Sequence, residues 1–293
     1  MTDNHDWYDR GAGPMPAHDT TALLPPVDGA PEPPPGGGRA ARRRQASRTG
    51  SPIIAPGMQP ALVTAALALL LAGGALLGRP ALAAAGVLLQ AVTAAGWFRL
   101  NGMWPARQGI VLAFLAGVTA EVAVLADGVD NAPAVIIGTL GVWLLLVLVL
   151  QLRHRGTPEE RLSSLTATSA STLITILATG FLATTADPRG TDAVVTAVVA
   201  VAVATLARAI PLPGVVSVLV ALAAATGSGV ALGQLETSDA APVALVAGIC
   251  ALIGLRVASY DFPSRFVHFT AGVALPLTAA APAVYVTARA LLG

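Results

Sequence analysis

Ala134-Val-Ile-Ile-Gly-Thr-Leu-Gly-Val-Trp-Leu-Leu-Leu-Val-Leu-Val-Leu-Gln-Leu152 is a run of 19 residues without a charged side chain. A helix of about 20 apolar residues crosses the ~30 Å hydrocarbon core of a bilayer. Similar runs recur along the chain, separated by short links rich in proline, glycine and charged residues. This pattern predicts nine membrane spans. The predicted spans are residues 60–78, 81–98, 109–126, 134–152, 165–184, 193–210, 214–233, 241–258 and 269–290.

The composition supports the same class of protein. Of 293 residues, 55% are hydrophobic and only 11% are charged, whereas a soluble domain carries about 25% charged residues. We therefore expect an all-α, polytopic transmembrane helical bundle over residues 58–293, with the lipid bilayer as its surroundings. The single cysteine, Cys250, lies in an apolar run and cannot form an intramolecular disulfide.

The first 57 residues have a different composition. They hold ten of the 22 prolines and eight of the 30 glycines, so they cannot bury enough apolar surface to offset the entropy of ordering. We expect a disordered cytoplasmic tail that ends in an arginine cluster and recruits other proteins, without binding nucleic acid. The cluster is a candidate topogenic signal, or alternatively a contact for anionic lipid or an acidic partner. It comprises Arg39, Arg42, Arg43, Arg44 and Arg48.

Arginines in the links predict the orientation of the spans, because cytoplasmic links are enriched in basic residues. If the tail is cytoplasmic, eight link arginines fall inside and three outside. The inner set is Arg99, Arg107, Arg153, Arg155, Arg161, Arg208, Arg256 and Arg265, and the outer set is Arg79, Arg189 and Arg289. Nine spans then place the carboxyl terminus outside the cytoplasm. We expect a multi-pass protein of the bacterial inner membrane.

Glu121 is the only carboxylate well inside a predicted span. Intramembrane carboxylates are costly and often act as proton carriers or ion ligands. No Asp, Lys or His stands in the middle of another span to pair with it. Two interpretations stay open: Glu121 is functional, or its side chain reaches the outer interface or nearby hydroxyl groups.

The fifth span is the most polar of the nine. Its hydroxyl residues recur at three- and four-residue spacing and therefore line one helix face. Such a stripe is typical of helix packing, and a hydrated cavity or substrate path is the alternative. Gln90, alone in the second span, is a candidate for a hydrogen bond between helices. The stripe comprises Ser164, Thr168, Thr172, Thr175 and Thr179.

The link before the last span holds a second polar cluster, which could bind a phosphate headgroup or simply anchor helix ends at the interface. It comprises Arg256, Tyr260, Asp261, Arg265 and His268. His154 and His268 have no Cys or His at ligand spacing, so we expect no metal site. Phosphate-binding glycine loops and nucleophile-elbow motifs are also missing from the sequence. We therefore expect no cofactor and no catalytic residue.

Three segments resemble the phosphatidate cytidylyltransferase (CDP-diacylglycerol synthase) family: Pro158–Ser169, Gly254–Ser259 and Leu277–Tyr285. The chain lacks the lysines, aspartates and glycine-rich histidine motif that carry catalysis in that family, and Asp261 alone cannot form a paired-metal site. The resemblance therefore implies a member that has lost its activity. The overall layout is also similar to an actinobacterial septation protein of the divisome.

Three functions follow as hypotheses. The first is a non-enzymatic membrane scaffold, acting in cell division, whose tail recruits partners. The second is a lipid-handling protein that uses the cluster from Arg256 to His268. The third is a small-solute or proton-coupled transporter that uses Glu121 and the hydroxyl stripe. The scaffold ranks first, because the sequence lacks both catalytic motifs and paired intramembrane charges.

Overall fold

The computed structural model describes residues 54–103, 106–153, 157–260 and 265–293. Regular structure throughout these ranges is helical, without a β-strand. The helices are α1 (Met58–Leu77), α2 (Arg79–Leu100), α3 (Arg107–Asp127), a 3₁₀ turn (Val129–Asn131), α4 (Ala132–Leu152), α5 (Pro158–Leu177), α6 (Gly180–Thr184), α7 (Gly190–Arg208), α8 (Gly214–Ala231), α9 (Thr237–Ala258), α10 (Arg265–His268) and α11 (Ala271–Leu292).

Within the described residues, nine helical segments are long and apolar enough to cross a membrane. The all-helical class and the number of apolar segments are thereby confirmed. The arginine cluster at 39–48 and nearly all of the predicted tail lie outside the described residues, as does Asp261.

The two closest pairs of predicted spans are separate helices. Gly78 ends α1 with φ 117°, a left-handed conformation that glycine adopts without strain. Pro80 then stands in the first turn of α2, where its missing N–H is not needed. Between α7 and α8 the chain leaves helical geometry over residues 209–213, a segment that contains Pro211 and Pro213.

Two spans differ from their predicted form. The fifth begins earlier than residue 165, because Thr157 and Glu160 form a reciprocal capping box at the start of α5. That box satisfies two backbone N–H groups that would otherwise lack a partner. The same span is interrupted at Ala178 and Thr179, and α6 continues after a turn. The ninth starts with the short helix α10 before α11.

Consecutive long segments are joined by short links and pack against each other, so they run in opposite directions and their ends form two sets. At one face Gln151 donates a hydrogen bond to Ser164, and Arg208 donates one to Ser217. At the other face Arg189 forms a salt bridge with Asp239. We call the first the arginine-rich face. Its described arginines are Arg99, Arg107, Arg153, Arg161, Arg208, Arg256 and Arg265. We call the second the acidic face. Its charged residues are Arg79, Asp127, Asp130, Asp187, Arg189, Asp192, Glu236, Asp239 and Arg289.

Alanine is the most frequent residue in the buried core of the described residues. The central helix α7 is the most buried of the nine segments, and α4 at the periphery is the least buried. On α7, Ala193, Ala197, Ala200 and Ala204 are completely buried. Lipid tails are as apolar as leucine, so helices in a membrane associate through close van der Waals contact that small residues permit. The small-residue surface of α7 therefore explains its central place.

Substitution of Gly254, where α9 packs closely against α11, tests this packing. A methyl group at Gly254 of α9 would lie 2.5 Å from the backbone nitrogen of Pro276 and 2.6 Å from the carbonyl carbon of Leu275. Backbone atoms cannot move aside easily, so we expect Gly254→Ala to destabilise the protein by about 1–3 kcal/mol. The measurement is thermal unfolding of the purified protein in detergent.

Gly138→Ala on α4 is the matched control, because the space around Gly138 is open. We expect its melting temperature to equal that of the wild type or slightly exceed it, since alanine favours helix. An equal loss of stability in both variants would contradict the close packing of α9 against α11.

Candidate functional site

Glu121 lies inside the helical bundle, where α3 packs against α2 and α5. Only 2% of its surface is exposed. The helix reaches this position because the neighbouring α3 residues that face the bundle are small: Ala113, Ala116 and Ala120 are completely buried. The side chain is enclosed rather than exposed at a surface, and the choice between a functional Glu121 and contact with nearby hydroxyl groups stays open. The carboxyl group is an interior feature of the fold.

The partner of Glu121 is an amide. Gln90 of α2 donates from Nε2 to Oε1 of Glu121 at 3.3 Å, and from the same nitrogen to Oγ1 of Thr179 at 3.2 Å. Gln90 and Thr179 are both completely buried. One side chain thus joins α2, α3 and the interruption between α5 and α6. We call Gln90, Glu121 and Thr179 the carboxyl centre.

Two glycines make room for the carboxyl centre. A methyl group at Gly86 would lie 2.6 Å from Oε1 of Glu121. A methyl group at Gly117 would lie 2.8 Å from Cδ of Gln90 and 2.8 Å from Cγ2 of Thr175. Any larger residue would displace the polar side chains, so both positions hold glycine for space rather than for backbone conformation. Neither glycine is predicted from the sequence as part of the site. The signal that could have indicated them is a glycine in the middle of an apolar segment.

Several polar atoms around the centre have no hydrogen-bond partner among the described residues. They are Oε1 of Gln90, Oε2 of Glu121 and the hydroxyl oxygens of Ser171, Thr172 and Thr175. Some threonines elsewhere, such as Thr93, Thr119 and Thr184, donate to the carbonyl four residues earlier, whereas the Thr196 hydroxyl on α7 also has no partner among the described residues. An unpaired buried polar group costs about 1–3 kcal/mol, and an ordered water, an ion or a bound ligand can supply the missing partner. The cluster is therefore a candidate site for a water molecule, a proton or a polar ligand.

A cavity of about 240 Å³ opens at the arginine-rich face, at the end of the hydroxyl stripe. Ser164 and Thr168 line it together with Gln151, whose Nε2 donates to Ser164 Oγ at 2.9 Å and whose Oε1 has no partner among the described residues. From Thr168 the stripe continues through Thr172 and Thr175 to Thr179, a helix rise of about 16 Å. A row of buried hydroxyl groups therefore lies between the cavity and the carboxyl centre.

The second predicted cluster is less organised. Arg256 stacks over the ring of Tyr260 at 4.8 Å, and Arg265 lies 5.9 Å from the ring centre of Phe269. No hydrogen bond or ion pair between Arg256, Arg265 and His268 is present in the described part of the chain. Arginine–aromatic stacking of this kind is typical of interfacial anchoring, and Asp261 of the predicted cluster lies outside the described residues.

Metal binding finds no support in the described ranges, where no three His, Cys, Asp or Glu side chains are grouped to hold an ion. Comparison with known proteins finds no matching protein family, no matching curated protein and no matching solved structure. The resemblance to phosphatidate cytidylyltransferases and to a septation protein therefore stays a prediction.

Substitution of Gly86 tests its close contact with the Glu121 carboxyl group. Gly86→Ala should destabilise the protein by about 1–3 kcal/mol, because the new methyl group displaces the Glu121 carboxyl from Gln90. In a Glu121→Ala background the same change should have no cost, since the clashing atoms are absent. Thermal unfolding of the four proteins gives the coupling energy directly.

Gly73→Ala on α1, where the surrounding space is open, is the matched control and should show no coupling to Glu121→Ala. An equal effect of Gly86→Ala in both backgrounds would contradict the contact between Gly86 and Glu121.

Proposed function

We propose that this chain spans the membrane nine times and is a proton-coupled transporter of a small polar solute, with Glu121 as its proton-binding residue. The observation that carries the proposal is a buried carboxyl group that is hydrogen-bonded to an amide, Gln90, and has no ion pair among the described residues. Burying a lone charge in the membrane interior is costly. A carboxyl group avoids that cost by binding a proton, and release of that proton would require a conformation in which water reaches Glu121.

The interruption between α5 and α6 supports transport over a static role. Transporters commonly place substrate and ion sites at helices that are broken within the membrane, because the break frees backbone groups and permits movement. Here the break falls at Thr179, which accepts a hydrogen bond from the same Gln90 nitrogen that bonds Glu121. A change in the protonation of Glu121 would therefore alter the bonding of a residue at the break.

The cavity at the arginine-rich face indicates the class of solute. Its volume of about 240 Å³ is below the ~300–1,000 Å³ of sites for drug-sized ligands. Gln151, Ser164 and Thr168 offer uncharged hydrogen-bonding groups, and Arg107 offers a positive charge. This combination fits a small neutral or anionic solute with several hydrogen-bonding groups.

The first experiment needs no knowledge of the solute. We expect the infrared carbonyl band of a protonated carboxylic acid in the reconstituted wild type, and its loss in Glu121→Gln, which keeps the shape but cannot bind a proton. Glu159→Gln, at an exposed position of α5, is the matched control and should keep the band. Identical spectra for the wild type and Glu121→Gln across acidic and alkaline buffers would contradict proton binding at Glu121.

The second experiment measures transport in proteoliposomes that contain a pH-sensitive dye. Under an inward proton gradient, the matching member of a panel of amino acids, polyols and small carboxylic acids should accelerate acidification at least tenfold in the wild type. Glu121→Gln should abolish this acceleration and Glu159→Gln should retain it. Solute uptake that persists unchanged in Glu121→Gln would contradict coupling through this residue.

We also infer that the arginine-rich face is cytoplasmic. Seven described arginines on that face against three on the acidic face support this orientation. A reporter that is active only outside the cytoplasm, fused after Gly293, should then be active in a bacterial host. Activity of a cytoplasmic reporter at the same position would contradict the orientation or the number of spans. Fusion after Leu152, at the arginine-rich face, is the control and should give the opposite result.

The scaffold role in cell division depends on the tail, which lies outside the described residues, and it stays a prediction. Deletion of residues 1–38, with the arginine cluster kept, separates it from transport: a scaffold would lose its partners, whereas the transporter would keep its activity. The lipid-handling hypothesis likewise stays a prediction.

A further inference from the structure

A large apolar groove lies between α8 and α9 at the arginine-rich face. Its volume is about 900 Å³. Val215, Val218 and Leu222 of α8 form one wall, and Ile249, Leu252 and Ile253 of α9 form the other. Val215 and Ile253 are more than half exposed. The groove is remote in sequence from the carboxyl centre and shares no residue with it.

The groove exists because α8 and α9 are in close contact only towards the acidic face. There Gly229 lies against Ala244, and Gly248 lies against Ala225. Small residues at these four positions let the two backbones approach closely. Towards the arginine-rich face the facing residues are branched, and they line the cavity instead of closing it.

The depth of the groove matches one leaflet of a bilayer. Its α9 wall runs from Ser259 at the helix end to Ile249, ten residues or about 15 Å of helix rise. This is half of the ~30 Å hydrocarbon core. An acyl chain that enters from the arginine-rich face would therefore be covered along the full thickness of its leaflet.

Two arginines stand at the mouth of the groove. Arg208, at the end of α7, donates from Nη1 to Oγ of the buried Ser217 at 3.2 Å. Arg256 is exposed at the end of α9 and stacks over Tyr260. The described residues that line the groove include no carboxylate. The mouth therefore has a net positive charge directly above an apolar channel.

We propose that this groove binds one anionic glycerophospholipid, with its phosphate on Arg208 and Arg256 and an acyl chain between α8 and α9. Basic pockets between transmembrane helices are recognised sites for anionic headgroups. The lipid acts as a structural ligand that fills the gap between the two helices. It is neither a substrate nor part of the route through Glu121.

Native mass spectrometry of the full-length protein, purified in detergent and titrated with dioleoyl phosphatidylglycerol or dioleoyl phosphatidylcholine, tests the proposal. We expect one tightly retained phosphatidylglycerol and at least tenfold weaker retention of phosphatidylcholine. Arg208→Gln combined with Arg256→Gln should weaken phosphatidylglycerol retention at least tenfold, since each arginine contributes to headgroup attraction. Arg153→Gln combined with Arg161→Gln makes the same charge change on the same face and should leave retention unchanged.

A second pair of variants tests the acyl-chain channel. Val218→Trp fills the groove and should reduce phosphatidylglycerol retention at least tenfold, whereas Leu219→Trp, on the exposed surface of α8 outside the groove, should not. The double variant could fail to fold, because it loses the hydrogen bond between Arg208 and Ser217. Arg256→Gln alone then tests the headgroup contact, because Arg256 is exposed and its replacement leaves that hydrogen bond intact.

Three results would overturn the proposal: equal retention of the two lipids, unchanged retention in Arg256→Gln, or a dimer that Val218→Trp disperses. The last result would assign the groove to a second copy of the chain.

Discussion

The close approach of helix backbones is the constraint on which this structure depends. A membrane provides no hydrophobic drive to bring helices together, so their contacts require small residues that maximise van der Waals packing. The buried alanines of α7 and the glycine contacts between α9 and α11 meet this requirement. At the arginine-rich face, larger branched residues replace the small ones between α8 and α9, and a groove lies between the two helices.

The carboxyl centre is possible only because of the same constraint. Gln90 reaches both Glu121 and Thr179 because Gly86 and Gly117 leave space for the side chains between α2, α3 and α5. A polar group in a loosely packed membrane interior would meet lipid, whereas here each group is enclosed by neighbouring helices. Tight packing thus encloses the polar side chains and leaves several of their atoms without a hydrogen-bond partner among the described residues.

The sequence predicts what depends on length and periodicity. Nine apolar segments follow from the thickness of a bilayer, and the three- and four-residue spacing of the hydroxyl groups places Thr172, Thr175 and Thr179 on one face. It does not predict which helix supplies the partner of Glu121, because adjacency depends on the fit of small residues that occur on almost every span. The interruption at Ala178 is not predicted either, because no proline or charged residue marks it in the sequence; beside it, Gly180 lies close to the backbone of Ala281.

The depth of Glu121 has an electrical consequence. Glu121 lies six residues before the end of α3 at Asp127, or about 9 Å of helix rise, which is roughly a third of the ~30 Å hydrocarbon core. A proton that arrives from the acidic face would therefore cross about a third of the transmembrane voltage. At ~2.3 kcal/mol per charge per 100 mV, the free energy of proton binding at Glu121 would change by about 0.8 kcal/mol for each 100 mV. Proton binding at Glu121, if the chain spans a membrane as proposed, would therefore depend on the transmembrane voltage.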